Sequence, residues 1–217
     1  MGLLAAIFDL NGTLVDDIAY HYQAWCSLAD RHDFAMSAAI FQSFNGQKNE
    51  DIFPKLLGGS TDAARMEALA REKEELYREL YRPHLAPAQG IEPLLQRLRA
   101  RGVALAVASS APIENRDMVI DGLGWRATFD LVVANEGLRG KPAPDIFRAA
   151  SEKLRVPPRS CLVFEDAENG VLAARAGGFA CVGVTTNVDA QVLRGAGAVI
   201  TVPHFDALPD DLDALVG

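Results

Sequence analysis

Short apolar runs, each stopping at a polar residue and each followed by a segment of helix length, constrain this chain more than any other feature of it. Leu3–Phe8, Val103–Ala108, Leu131–Ala134, Cys161–Phe164, Ala180–Val184 and Val199–Thr201 are predicted strands, and the first is apolar on both faces, as a central parallel strand must be. Helices are predicted over Ile91–Arg101, closed by Gly102, over Glu114–Leu123 and Asp145–Leu154, and over Gly170–Ala176, ended by Gly177-Gly178. Strands separated by helices of this length imply right-handed crossovers. The expected fold class is therefore α/β, a doubly wound parallel sheet covered on both faces.

One stretch breaks that alternation. After Asp16-Asp17 the apolar residues Ile18, Tyr22, Trp25 and Leu28 recur every three or four positions, with Asp17 placed to cap the first turn. Helical segments at Ala38–Phe44 and Glu50–Leu57 follow, before Gly58-Gly59. Thr61–Arg82 is the longest candidate, with Met66, Leu69, Leu76 and Leu80 on one side and Glu67/Arg71 and Glu74/Arg78 spaced four apart. Its charged remainder reads as a solvated face. Pro83, Pro87 and Gly90 mark the exit. The reading is a core of 1–15 and 88–217, interrupted by an all-helical cap domain over 16–87.

With 217 residues, 49% of them hydrophobic, the chain can bury a sizeable core. A net charge of −8 and an isoelectric point near 5.0 disfavour nucleic acid or an anionic membrane as partner, since both reward a basic face. Cys26, Cys161 and Cys181 are odd in number and lack metal-ligand spacing, which points to buried free thiols in a reducing compartment. Met-Gly-Leu-Leu leads straight into a strand and no run reaches membrane-spanning length. A cytoplasmic monomer acting on a small molecule is expected.

The polar residues at the strand ends are where chemistry would sit. Asp9 ends the first strand, and Gly12 and Thr13 behind it leave backbone N–H groups to cradle an anion. Alone, such an aspartate is more often a turn-former. Ser109 and Ser110 end the second strand, where serines commonly cap the next helix. Lys141 stands on a stiff loop, Gly140-Lys141-Pro142-Ala143-Pro144-Asp145. Glu165 and Asp166 close another strand, and two adjacent acids beside a third carboxylate are costly unless a cation sits among them. Mg²⁺ is the natural candidate, being hard and oxygen-seeking.

In this order, the segments around Asp9, Ser109, Lys141 and Glu165-Asp166 resemble the four motifs of the haloacid dehalogenase (HAD) superfamily of phosphatases and phosphomutases, built on a Rossmann-like core. The resemblance implies that Asp9 is the nucleophile, that Ser109 binds the transferring phosphoryl group, and that Lys141 spreads positive charge over it. It implies Mg²⁺ held by Asp9, the backbone carbonyl of Asn11, and Asp166, with Glu165 close or acting through water. Tyr20-His21-Tyr22-Gln23-Ala24-Trp25 and Phe44–Asp51 resemble the cap of the β-phosphoglucomutase-like branch, which brings His21, Gly46 and Lys48 over a small, sugar-like phosphorylated metabolite. Gly12, Thr13, Ser110 and Asn115 complete the substrate-binding set. Where the mutases carry basic and hydroxyl groups for a second phosphate, this chain has Asn45, Asn49 and Ile52, so hydrolysis is favoured over mutase chemistry. The cap is expected to close like a lid, hinged near Val15-Asp16 and Leu85-Gln89.

One position departs from the pattern. The family motif is Asp-x-Asp-Gly-Thr, and here the second aspartate is Asn11. An amide has no titratable proton, so general acid–base help worth roughly 10² to 10⁴ in rate should be lost. A slow phosphatase follows. The alternatives are a catalytically silent or engineered phosphate-ligand binder, a β-phosphoglucomutase-type mutase, or carbon–phosphorus cleavage, which needs a cap lysine such as Lys48 or Lys55. Asp17, where the family has serine or threonine, adds negative charge near the entrance.

Overall fold

The computed structural model describes residues 2–44, 46–57, 62–133 and 135–216; Gly58-Gly59, Asn45 and Ala134 of the sequence reading lie outside these. Among the described residues six strands form one sheet: β1 (Ala5–Phe8), β2 (Ala104–Ala108), β3 (Leu131–Val133), β4 (Cys161–Glu165), β5 (Ala180–Val184) and β6 (Ile200–Val202). All neighbours are parallel, in the order β3-β2-β1-β4-β5-β6. The chain builds outward from β1 to one edge and then, from β4, to the other. The strand order thus reverses beside β1, and a ligand crevice forms at such a switch point. The register pairs Phe8 with both Val107 and Phe164, so Asp9, Ser109 and Glu165-Asp166 leave the sheet side by side.

Strand periodicity divides the core into two. Ala6, Phe8, Leu105, Val107, Leu162 and Phe164 point to one face, with helices α5 (Ile91–Ala100) and α6 (Ile113–Gly122). Ala5, Ile7, Ala106, Ala108, Cys161 and Val163 point to the other, under α7 (Asp145–Leu154), α8 (Glu168–Gly177) and α9 (Ala190–Ala196). On the first face Phe8 stacks on Phe164 with ring centres 4.7 Å apart, and Phe205 closes over Phe164 at 5.8 Å. The expected doubly wound architecture is present. Of the α-helices among the described residues, α9 was not anticipated, because 190–196 is short, contains Gly195 and buries just Leu193 and Ala196, too little to show a period.

Among the described residues four α-helices lie between β1 and α5, α1 (Ile18–His32), α2 (Ala38–Phe44), α3 (Asn49–Leu56) and α4 (Ala63–Tyr81). Their apolar faces meet around Trp25, whose ring lies 5.3 Å from Phe44 and 5.1 Å from Phe53. Among the described residues no helix is long and apolar enough to cross a membrane. The three thiols are free; Cys161 and Cys181 are buried as expected, whereas Cys26 is half-buried on α1.

Because Phe164 carries the aromatic stack directly beneath the acids of β4, Phe164→Ala should cost about 3–5 kcal/mol of stability, read as a lower midpoint in chemical denaturation.

Candidate active site

A buried lysine ties the strand ends together. Lys141 donates to Asp9 Oδ1 at 2.6 Å and to Glu165 Oε1 at 2.5 Å. The second oxygen of Glu165 accepts the N–H groups of Asp166 and Ala167, each at 3.0 Å. Glu165, expected close to the metal or acting through water, thus has hydrogen bonds on both oxygens; it holds the lysine and shapes the turn into α8. Gly170 makes room for it, since a Cβ there would come 1.9 Å from the Glu165 carboxylate.

Asp166 is placed differently. Its Oδ1 accepts from Thr13 Oγ1 at 3.2 Å, while Oδ2 is buried and has no partner among the described residues. Oxygens of Asp9, Glu165 and Asp166 lie within 4.8 Å of one another. Burial raises the Asp9 carboxyl to about 7, against the pull of Lys141 and with a further push from Glu165. Burial, then Glu165 and Asp9, lift Asp166 well above the usual carboxylate range. Burial opposes the charge on Lys141, yet Asp9 and Glu165 outweigh it and hold the amine protonated. One cation thus faces three carboxylates. The orphaned oxygen of Asp166 and the nearby Asp9 fit a hard divalent cation, which is what would let both acids ionise together.

The turn after β1 departs from expectation. Leu10 O accepts from Thr13 N, Leu14 N and Val15 N, winding the chain tightly. Gly12 sits at φ +75°, and a Cβ there would lie 2.2 Å from Asp166 Oδ2, so glycine is required twice over. Thr186 Oγ1, beyond β5, donates to Gly12 O at 2.5 Å. The N–H groups of Gly12 and Thr13 were expected to cradle a substrate anion, but both are used within the turn: Thr13 N on Leu10 O, Gly12 N on Asp17 Oδ1 at 2.9 Å.

The anion in that cradle is Asp17 itself. Its Oδ2 accepts from Asn11 Nδ2 and from the Tyr77 hydroxyl, each at 2.5 Å. The residue occupies the N-cap position of α1 but makes no side-chain cap, and it is fully buried rather than set at an entrance. Burial raises its carboxyl to about 6 despite these hydrogen bonds. Asn11 must turn its NH₂ toward this carboxylate, because its own oxygen would repel it. The amide oxygen is left as the acceptor that Asn11 offers to the cavity it lines.

That cavity lies between the strand ends and the four-helix insertion. Asp9, Asn11, Ser109, Ser110 and Asp166 line it from the strand ends, Asn115 from α6, and His21 and Gly46 from the insertion. Ser109 Oγ accepts from Ala111 N, which leaves its hydroxyl proton to give; Ser110 Oγ donates to Gly46 O at 3.1 Å. Lys141 lies just beneath. Lys48, expected over the phosphate, is turned away: its amine donates to the carbonyls of Asn135 and Leu138 at 2.7 and 2.6 Å. Lys55 donates to Gln47 Oε1.

The lysine that does line the cavity is Lys73 on α4, beside Glu74, and both are buried. Reading the charges of α4 as a solvated face missed them, and Glu74 does not pair with Arg78. A signal was present: Lys73 stands four residues from Leu69 and four from Tyr77, in the middle of the buried stripe. A charge at the centre of an apolar face faces a polar cavity or is not tolerated.

Comparison with known proteins agrees with this geometry. The model of the haloacid dehalogenase-like hydrolases matches residues 3–178. The validoxylamine A 7'-phosphate phosphatase of Streptomyces hygroscopicus subsp. limoneus is 33% identical over 202 residues, 90% of this chain and 92% of that one. The fructose-1-phosphate phosphatase of Escherichia coli (strain K12) is 31% identical, covering 82% and 94%. The crystal structure of β-phosphoglucomutase from Clostridium difficile superposes with a TM-score of 0.85 at 26% identity, over 96% of this chain and 94% of that chain. With strand-end acids, the buried lysine and a doubly wound sheet already in place, the chain belongs to the haloacid dehalogenase-like hydrolases.

Proposed function

We propose that this hydrolase is a Mg²⁺-dependent phosphomonoesterase acting on a small, sugar-like phosphorylated metabolite through an aspartyl phosphate on Asp9. The observation that carries the reading is the convergence of Asp9, Ser109 and Asp166 on one cavity, with Lys141 bonded to Asp9 from below. The names of the two relatives, both phosphatases of small phosphorylated compounds, support the same substrate class.

In this reading Asp9 attacks phosphorus in line through the oxygen that Lys141 does not hold, the phosphorus–oxygen bond to the leaving group breaks, and water later hydrolyses the acyl phosphate. Lys141 and the Ser109 hydroxyl meet the negative charge that spreads over the phosphoryl oxygens. Mg²⁺, held by Asp9, Asp166 and the Asn11 backbone carbonyl, would act as a Lewis acid and neutralise the two carboxylates. Asn11 supplies only an acceptor to the cavity, so it can orient a hydroxyl or a water but neither donates nor removes a proton. The leaving oxygen then takes its proton from water, and turnover is slow.

The cation requirement has a pH signature. A carboxyl whose folded pKa lies above its unfolded value favours folding while protonated, so the metal-free protein loses stability as pH rises from about 4 to about 7, where Asp9 ionises. Mg²⁺ should reverse this loss. It is expected to raise the melting temperature by several degrees at pH 8 and much less at pH 5.5, where protons compete for the same oxygens. An equal shift at both pH values would speak against Asp9 and Asp166 as ligands.

Turnover of an activated aryl phosphate tests the chemistry. Asp9→Asn should abolish it, and Asn11→Asp should raise it at least tenfold, toward the range that acid–base assistance spans. The new carboxylate would sit against Asp17, so the pair would share a proton, and Asn11→Asp/Asp17→Thr should be at least as active as the single change. A silent phosphate binder would show neither response.

A further inference from the structure

The far wall of the cavity, on the insertion, carries a cation whose charge is already answered. Lys73 Nζ donates to Glu74 Oε1 at 3.0 Å and to His21 Nδ1 at 2.8 Å, and lies 5.4 Å from the centre of the Trp25 ring. An ammonium can only donate, so His21 accepts at Nδ1 and is the neutral tautomer with its proton on Nε2. Burial and the neighbouring Lys73 both hold that ring uncharged.

Glu74 is equally committed. Its Oε1 also accepts from Asn49 Nδ2 at 2.7 Å and its Oε2 from Asn115 Nδ2 at 2.7 Å; Arg78 reaches only the Oδ1 of Asn115, at 2.8 Å. The wall therefore presents one positive and one negative charge in contact, the amide of Asn49, an uncharged imidazole and an indole face, with the amide of Asn115 reaching Glu74 from α6 of the core. Its net charge is zero. Buried side chains held this closely cannot rearrange to release Lys73 for a new anion without leaving Glu74 unpaired, which is the costly state of a buried ion pair.

Resting on the reading of the cavity as a phosphomonoester site, we infer that Glu74 determines specificity: by neutralising Lys73 it makes the far wall a receptor for hydroxyl groups and excludes a second anionic group. The substrate is then the monophosphate of a neutral polyol or sugar, and bisphosphates and phosphorylated acids are rejected. A second phosphate entering this wall meets the Glu74 carboxylate in a region of low dielectric, where each unit charge weighs heavily. Hydroxyls, by contrast, find both donors and acceptors in Asn49, Asn115, Lys73 and Glu74.

Calorimetric titration in Mg²⁺ with fructose 1-phosphate and fructose 1,6-bisphosphate tests this, because binding does not depend on turnover. The unmodified protein should prefer the monophosphate by about tenfold or more. Glu74→Gln keeps the shape and frees the lysine, and should shift the ratio of the two Kd values about tenfold toward the bisphosphate. Lys73→Gln leaves the carboxylate alone and should shift that ratio in the opposite direction. A purely structural role would weaken both ligands alike and leave the ratio fixed in both variants, which would overturn the inference. Should Glu74→Gln fail to fold, the ratio in Lys73→Gln decides by itself. Hydrolysis of fructose 1-phosphate with an unmoved ratio removes this inference and leaves the proposed function. Opposite shifts without any hydrolysis do the reverse.

Discussion

The contact between Lys141 and the carboxylates of Asp9 and Glu165 is what the rest of the site is arranged around. Removing several ions from water costs several kcal/mol each, and the cost is met only when every remaining donor and acceptor has a partner. The structure meets that condition from three directions. Parallel register sets Phe8 beside Phe164, so the residues that follow each emerge as neighbours. Backbone N–H groups of Asp166 and Ala167 take up the far oxygen of Glu165. Gly12 and Gly170, each where a Cβ would collide with a carboxylate, let the loops close to hydrogen-bonding distance. Among the described residues one oxygen of Asp166 is left without a partner beside Asp9, a donor set that fits a cation, and Nε2 of His21 across the cavity is also unpartnered.

Asn11 looks like a defect only when read alone. Two carboxylates at 2.5 Å could not both be ionised, and a buried Asp17 already holds the donors of the turn. An amide at position 11 supplies a neutral donor where Asp17 needs one, and the Tyr77 hydroxyl supplies another. Positions 11 and 17 are therefore one unit. The negative charge of the unit lies a layer deeper, on Asp17, behind the amide that faces the cavity.

The fold was legible because its signals are local. Strands such as Cys161–Glu165 are apolar throughout and stop at acids, and the helices between them carry clear periods, so the sheet and the positions of Asp9, Ser109, Lys141 and Asp166 followed from sequence order. The partners of those residues were not legible. Nothing near Gly12 announces that its N–H is reserved for a carboxylate five residues on, and a doublet Glu165-Asp166 does not say which acid holds a lysine and which keeps an unpartnered oxygen. Lys48 and Lys73 make the same point. Both are lysines of the insertion, and only three-dimensional packing spends one on backbone carbonyls and turns the other into the cavity.

Those carbonyl contacts also bear on how the cavity is reached. Over its mouth the insertion meets the core through hydrogen bonds: Lys48 to Asn135 and Leu138, Ser110 to Gly46, Asn115 to Glu74. Only the contact of Ser110 with Gly46 is neutral, contributing about 1 kcal/mol net; those of the Lys48 ammonium and the Glu74 carboxylate involve charged groups and contribute about 1.5–3 kcal/mol each. The apolar contacts of the insertion are concentrated elsewhere, around Trp25, Phe44 and Phe53, and hold its helices to one another. The cavity between insertion and core is therefore bordered by polar and charged contacts, while apolar packing keeps the insertion's own helices together.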